Sequence, residues 1–208
     1  LLASYLKEWG LKKGIQHVLA KLVAAERDEE GNITCVIDEN GCKYYADFFI
    51  DCSGFSGFLI DKVLEEPVIS FKESLLTDRA IAVNLPDDPK ENGIRSYTTA
   101  TALKAGWMWE IPLYHRSGNG YVYASDFISD EEALREVHEF FGDKVKDANI
   151  RQIKFASRRH ERSWVKNCVA IGLASSFLEP LESSTIYFIY GALYQLIKNF
   201  PNVLWNKL

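Results

Sequence analysis

From Arg79 to Phe127 short runs of β-branched and aromatic residues alternate with polar ones, cut by "LPDDP", "NG" and "SGNG". That period predicts an antiparallel sheet of about four strands. The period then changes. In "SDEEALREVHEFFG" apolar positions recur at helical spacing behind a Ser129 or Asp130 cap, acidic residues fill the first turn, and Gly142 ends the helix. Upstream, "LLASYLKEWG" starts apolar, without Met, and reads as mid-helix, so the chain looks like a piece of a longer protein. Ile15 to Glu26 mixes strand and helix signals. "DEEGN", "ITCVID", the Asn40-Gly41 turn and "KYYADFFIDCSG" then predict a β-meander. Its last run, Tyr45 to Cys52, is almost continuously apolar and is expected to be one buried strand of an α/β sheet. A helix is expected in "FLIDKVLEE", behind Gly54 and Gly57. After a strand and basic bend in "IRQIKFASRRHERSW", Cys168 to Gly172 predicts a second buried strand and Leu173 to Pro180 a loop. Ser183 or Ser184 then caps a long apolar helix starting near Thr185.

Charge narrows the partners. Twenty-four basic against 29 acidic residues leave a formal charge of −5, which argues against a nucleic-acid surface and an anionic-membrane patch and leaves small molecules as the expected partners. No apolar run approaches the ~18 residues of a membrane span. Cys35, Cys42, Cys52 and Cys168 show no CxxC spacing, and Cys52 and Cys168 sit in apolar runs as small hydrophobes, so neither metal nor disulfide is expected and a reducing cytoplasm fits. No repeats or low-complexity linkers interrupt what reads as one continuous α/β and β body.

Three places could carry chemistry. Gly54 and Gly57 follow a strand directly; such glycines let a ligand approach the backbone at a helix start, or simply make a tight turn. In "AGWMWEIP" an extended backbone turns Trp107 and Trp109 to the same side. They are either a flat indole wall or ordinary core. Glu182, just ahead of the last helix, is an N-terminal capping acid or a catalytic carboxylate. His138, on the predicted helix, reads as a surface or packing residue.

Together "DCSGF", "GWMWEIP", "GNGYVYASDFISDEEA" and "NCVAIGLASSFLEPLESSTIYFI" resemble the flavin-dependent tryptophan halogenases, over roughly residues 1–200. The WxWxIP element, complete here from Trp107 through Ile111 and Pro112, distinguishes that family from ordinary flavin monooxygenases. The resemblance implies an α/β, two-domain flavoprotein monooxygenase-like fold with an antiparallel substrate-side sheet. Residues 1–75 and 166–208 would belong to the FAD-binding domain and 76–165 to the substrate side. It implies that reduced FAD, supplied by a separate flavin reductase, reacts with oxygen and with chloride or bromide to give hypohalous acid, which reaches an aromatic substrate such as tryptophan through a tunnel. Trp107 and Trp109 would line the path and block direct oxygen transfer. Ser53, Gly54, Phe55, Gly172, Leu173 and Pro180 would hold FAD. Glu182 would be the active-site glutamate with Ser183 beside it, and Ser184 and Thr185 would bind halide through their backbone amides. Most members have Thr-Gly where this chain has "ST", which narrows that pocket. The family's GxGxxG fingerprint and essential lysine do not occur here, and neither Lys104 nor Lys166 matches the lysine's motif. A flavin hydroxylase and a non-catalytic module are the rival readings; the tryptophan pair disfavours the first, while the missing fingerprint favours the second for this piece, expected to be inactive alone, and Glu182 disfavours it for the whole protein.

Overall fold

The computed structural model describes residues 2–87, 93, 95–179 and 184–200. Helix α1 (Leu2–Lys12) leads into three antiparallel strands, β1 (Leu22–Arg27), β2 (Ile33–Asp38) and β3 (Lys43–Tyr45), in that order across a sheet. This is the expected meander. Its second turn is organised by the buried Asp38, whose Oδ1 accepts from the Asn40 and Cys42 N–H groups at 2.9 Å each.

The apolar run Tyr45 to Cys52 is not one strand. β3 ends at Tyr45, opposite Cys35, and β4 (Phe49–Asp51) joins a different sheet, parallel to β13 (Cys168–Ala170), which is flanked in turn by the antiparallel β12 (Trp164–Val165). An unbroken apolar run satisfies two successive sheets as well as one. The crossing is held by Asn167, whose side chain bonds both the N–H and the C=O of Ile33, at 2.9 and 2.8 Å, and the Asp47 carbonyl at 3.1 Å. The second expected buried strand stops at Ala170, short of Gly172.

The central layer is a five-stranded antiparallel sheet in the order β10-β6-β9-β8-β7, built from β6 (Arg79–Pro86), β7 (Thr99–Leu103), β8 (Gly106–Pro112), β9 (Arg116–Tyr123) and β10 (Ile150–Lys154). The four expected strands are present, and β10 returns from beyond α2 (Asp130–Phe141) to make the fifth. One face packs on α2: Ile81, Val83, Met108, Tyr121 and Tyr123 meet Ala133 and Val137, all buried. Each large side chain so buried contributes about 1.5–3 kcal/mol. α2 begins with a capping box, Ser129 Oγ accepting from the Glu132 N–H at 3.2 Å while the Glu132 carboxylate accepts from the Ser129 N–H. His138 is exposed on it, as expected.

A small sheet, β14-β11-β5, made of β5 (Val68–Ser70), β11 (Arg158–His160) and β14 (Ser176–Phe177), connects these layers. β14 and a helical turn at Gly172–Ala174 occupy what the sequence suggests is loop. The predicted helix after Gly57 is a single wide turn, Phe58–Val63. The chain's last described element is α3 (Ser184–Asn199), one residue earlier than expected.

Candidate functional site

β8 sets the first part of the site. Its alternation sends Met108 into the α2 core and Trp107 and Trp109 to the opposite face, with ring centroids 6.0 Å apart and planes at 57°. Cross-strand neighbours on that face are small. Trp109 lies between Ala100 and Gly120, and Trp107 between Ala102 and Val122, while Ala82 follows Gly120 on β6. The indoles therefore lie over a shallow floor rather than interlocking with bulky partners. The Trp107 indole N–H is buried without a hydrogen-bond acceptor among the described residues, a cost of about 1–3 kcal/mol that ordinary core packing avoids. Ile111 continues the same face, partly exposed, and Pro112 closes β8 opposite Ser117.

"SGNG" reads as a turn but is strand. Ser117 to Gly120 lie inside β9, and the hairpin bends at Leu113 to His115, closed by the Leu113 N–H on the Arg116 carbonyl at 2.8 Å. Gly120 there supplies clearance, since a Cβ on it would run into the Trp109 ring.

The second part lies at the carboxyl ends of β4 and β13, the position where parallel α/β sheets bind ligands. Ser53, Gly54 and Phe55 run into a helical turn at Gly54–Ser56 that packs on the turn Gly172–Ala174, which holds Leu173. The resemblance-implied residues 53–55 and 172–173 are thus brought together. Gly54 has φ +67° and open space beyond its Cα, so a planar ligand could reach the backbone there; this fits a flavin. Phe55 stacks edge-on against Phe177, which does the same to Phe155 at the foot of β10, each at 5.2 Å.

What holds this region leaves little trace in the sequence. Asp51, 2% exposed, accepts from the N–H groups of Ser53 at 2.9 Å, Leu59 at 2.7 Å and Ile60 at 2.9 Å. Asp61, on the wide turn, bonds Arg158 Nη2 at 2.6 Å and the buried His160 Nε2 at 2.7 Å. Burial pushes the Asp61 carboxyl up, but hydrogen bonds from His160 and Arg158 and the Arg158 charge outweigh that and hold it below the usual carboxylate range. A Cβ on Gly57 (φ +49°) would run into the same carboxylate. Arg162 grips the buried Glu66 bidentately at 2.9 and 2.7 Å. Only the i, i+2 spacing of "RRHER" on a strand hints at this network.

Ser184 and Thr185 open α3, half-buried; first-turn N–H groups have no acceptor within their own helix. α3 packs on the Gly172 turn through Ile189, whose side chain lies 3.4 Å from where a Gly172 Cβ would be. Pro180, Glu182 and Ser183 lie outside the described residues. All four cysteines are unpaired. Cys168 is buried as expected, and burial pushes its thiol up to about 12. Cys52, expected inside an apolar run, is instead exposed, because β4 ends one residue before it. Among the described residues no helix is long and apolar enough to cross a membrane.

Residues 1–208 match the tryptophan halogenase family profile. The tryptophan 7-halogenase RebH of Lentzea aerocolonigenes is 44% identical over 209 residues, covering 100% of this chain and 39% of RebH. The tryptophan 6-halogenase SttH of Streptomyces toxytricini is 43% identical, covering 99% and 39%. Its crystal structure superposes with a TM-score of 0.93 over 97% of this chain and 39% of that one. Tar14, a tryptophan C-6 flavin-dependent halogenase (chlorinase) from taromycin biosynthesis, also reaches 0.93 at 44% identity, covering 97% and 40%. The chain spans about two fifths of the length of the curated relatives it matches.

Proposed function

The chain belongs to the tryptophan halogenase family, and from that premise we propose that the whole protein is a FAD-dependent halogenase acting on an electron-rich aromatic, such as tryptophan or another indole, with chloride or bromide and oxygen. The observation that carries the reading is the Trp107–Trp109 wall: two indoles turned to one face, over a floor of small side chains, with a buried N–H that no described residue accepts. A direct flavin hydroxylase needs no such wall between cofactor and substrate.

Reduced FAD, when bound, supplies the oxygen-activating chemistry, and a separate flavin reductase supplies the reduced form. The paired turns at Ser53–Phe55 and Gly172–Leu173 would hold it, with Pro180 nearby in sequence. Ser184 and Thr185 would hold halide through first-turn N–H groups, since such amides favour an anion whatever their side chains. Glu182, with Ser183 beside it, would position the halogenating species or take the ring proton. Trp107, Trp109, Ile111 and Pro112 would line the route to the substrate and keep oxygen transfer from short-circuiting it. Residues 1–75 and 166–208 form the flavin side and 76–165 the substrate side, a division supported by the parallel pairing of β4 with β13. Four unpaired thiols support a reducing, cytoplasmic setting.

The test is mass spectrometry of reactions of the whole protein with indoles and phenols, reduced FAD, oxygen and halide. Halogenated products are expected, and hydroxylated products alone would refute the reading. Glu182→Gln should lower halogenation by ~10²–10⁴, the scale typical of acid–base groups, while flavin reoxidation continues; near-normal halogenation would reduce Glu182 to a cap.

A further inference from the structure

We propose that Gly120 is a positioning residue for the tryptophan pair: the side chain it lacks leaves the space that the Trp109 ring fills, which fixes the angle between the two indoles and so the partition between halogenation and wasted oxidant. The proposal rests on the halogenase reading for its consequence but not for its geometry.

Trp109 and Gly120 are direct partners in the β8–β9 ladder. A Cβ built on Gly120 would fall well inside contact distance of two atoms of the outer indole ring, Cζ2 and Cη2, and of the Ile81 carbonyl oxygen. Any other residue at 120 must therefore displace both the ring and the Ile81 carbonyl. The way towards α2 is closed by the sheet itself, so the ring can only swing away from β9, changing its 57° tilt against Trp107. Gly118 is the internal control. It lies on the same strand and the same face, two residues earlier, but a Cβ there would meet nothing closer than 3.8 Å. Strand propensity alone makes the two glycines equivalent; the indole and the Ile81 carbonyl separate them, and only the indole can be removed by substitution.

The experiment compares Gly120→Ala and Gly118→Ala in the whole protein, each also in a Trp109→Phe background, where the outer ring atoms are gone. Two quantities are read per folded molecule: the far-UV circular dichroism exciton couplet of the adjacent indoles, and hydrogen peroxide released per halogenated product. Gly120→Ala should change the couplet and raise peroxide release several-fold, Gly118→Ala should do neither, and in the Trp109→Phe background Gly120→Ala should leave peroxide release unchanged, whatever the Ile81 carbonyl costs it in Tm. A Gly120→Ala protein with lowered Tm but an unchanged couplet and partition would overturn the proposal, leaving Gly120 a packing residue of the sheet. If Gly120→Ala does not fold, adding Trp109→Phe should restore folding; failure of that rescue would place the conflict at the Ile81 carbonyl and likewise overturn it. If the unaltered protein yields no halogenated product, the halogenase reading fails, while the couplet still decides whether Gly120 sets the pair.

Discussion

Asp51 closes β4 with its carboxylate turned inward onto three backbone N–H groups, those of Ser53, Leu59 and Ile60. These shape the chain that carries Gly54 and Phe55. Asp51→Ala leaves the buried Leu59 and Ile60 N–H groups without their acceptor, at about 1–3 kcal/mol each, while the N–H of the exposed Ser53 can turn to water. Thermal unfolding should therefore show a loss of several kcal/mol, with Asp51→Asn, which keeps one acceptor oxygen, falling between. A loss under about 1 kcal/mol, the worth of one ordinary hydrogen bond, would show that the turn holds itself. Trp107 and Trp109 were legible from the sequence because strand alternation alone assigns their face. Asp51 and Gly120 were not. The "DC" ahead of "SGF" looks like the end of an apolar strand, and the "SGNG" glycines carry the composition of a turn, because a single chain does not reveal which glycine faces a ring on the next strand. Chemical labelling offers a further check at this scale. Cys168 is buried with its thiol pushed up, so alkylation of the native protein should modify Cys42 and leave Cys168 untouched until the protein unfolds. Equal rates at both would contradict the packing of β13.

Helix α2 shows the elements the sequence specifies most fully. Cap, acidic first turn, apolar stripe and stop all act within one segment, and the observed helix runs from Asp130 to Phe141 as those signals require. Ser129→Ala should cost about 1 kcal/mol of stability by loss of the capping box; no change in Tm would mean the helix is held by its core contacts alone. The strand pairs were harder. Tyr45 to Cys52 divides between two sheets because its partners, Cys35 and Cys168, lie far apart in the chain, and no local pattern encodes a distant partner. The wide turn Phe58–Val63 depends similarly on remote residues, being tied to β11 through Asp61, Arg158 and His160. The Asp61 carboxyl titrates lower when folded than when unfolded. Its stabilisation is therefore present above the unfolded value, near pH 4, and is lost as pH falls through the lower folded value. The Tm difference between the unaltered protein and Asp61→Asn should be greatest above about pH 5 and shrink on acidification below 4. A difference independent of pH would mean that the carboxylate's charge plays no part in the tie.

Across the whole molecule, the chain leaves the layer of β4 after Asp51, builds the five-stranded sheet with α2, and returns at β13 to pair in parallel with β4. That return brings two glycine turns, far apart in sequence, to one edge, while the intervening sheet presents the tryptophan wall. The α/β class and antiparallel sheet were readable from periodicity; the return pairing was legible only through resemblance, since parallel neighbours are joined by long crossovers that leave no local mark. The small sheet β14-β11-β5, with Phe55, Phe177 and Phe155 stacked through it, joins the two layers. The most direct test of this account compares the whole protein with its Trp107→Phe/Trp109→Phe variant, each turning over tryptophan with reduced FAD, oxygen and bromide, and resolves brominated product, hydroxylated product and peroxide by mass spectrometry and peroxide assay. Brominated product is expected from the unaltered protein and, from a variant that remains folded, a shift toward peroxide or hydroxylated product. A folded variant with the same product distribution would contradict it, leaving the two indoles as core.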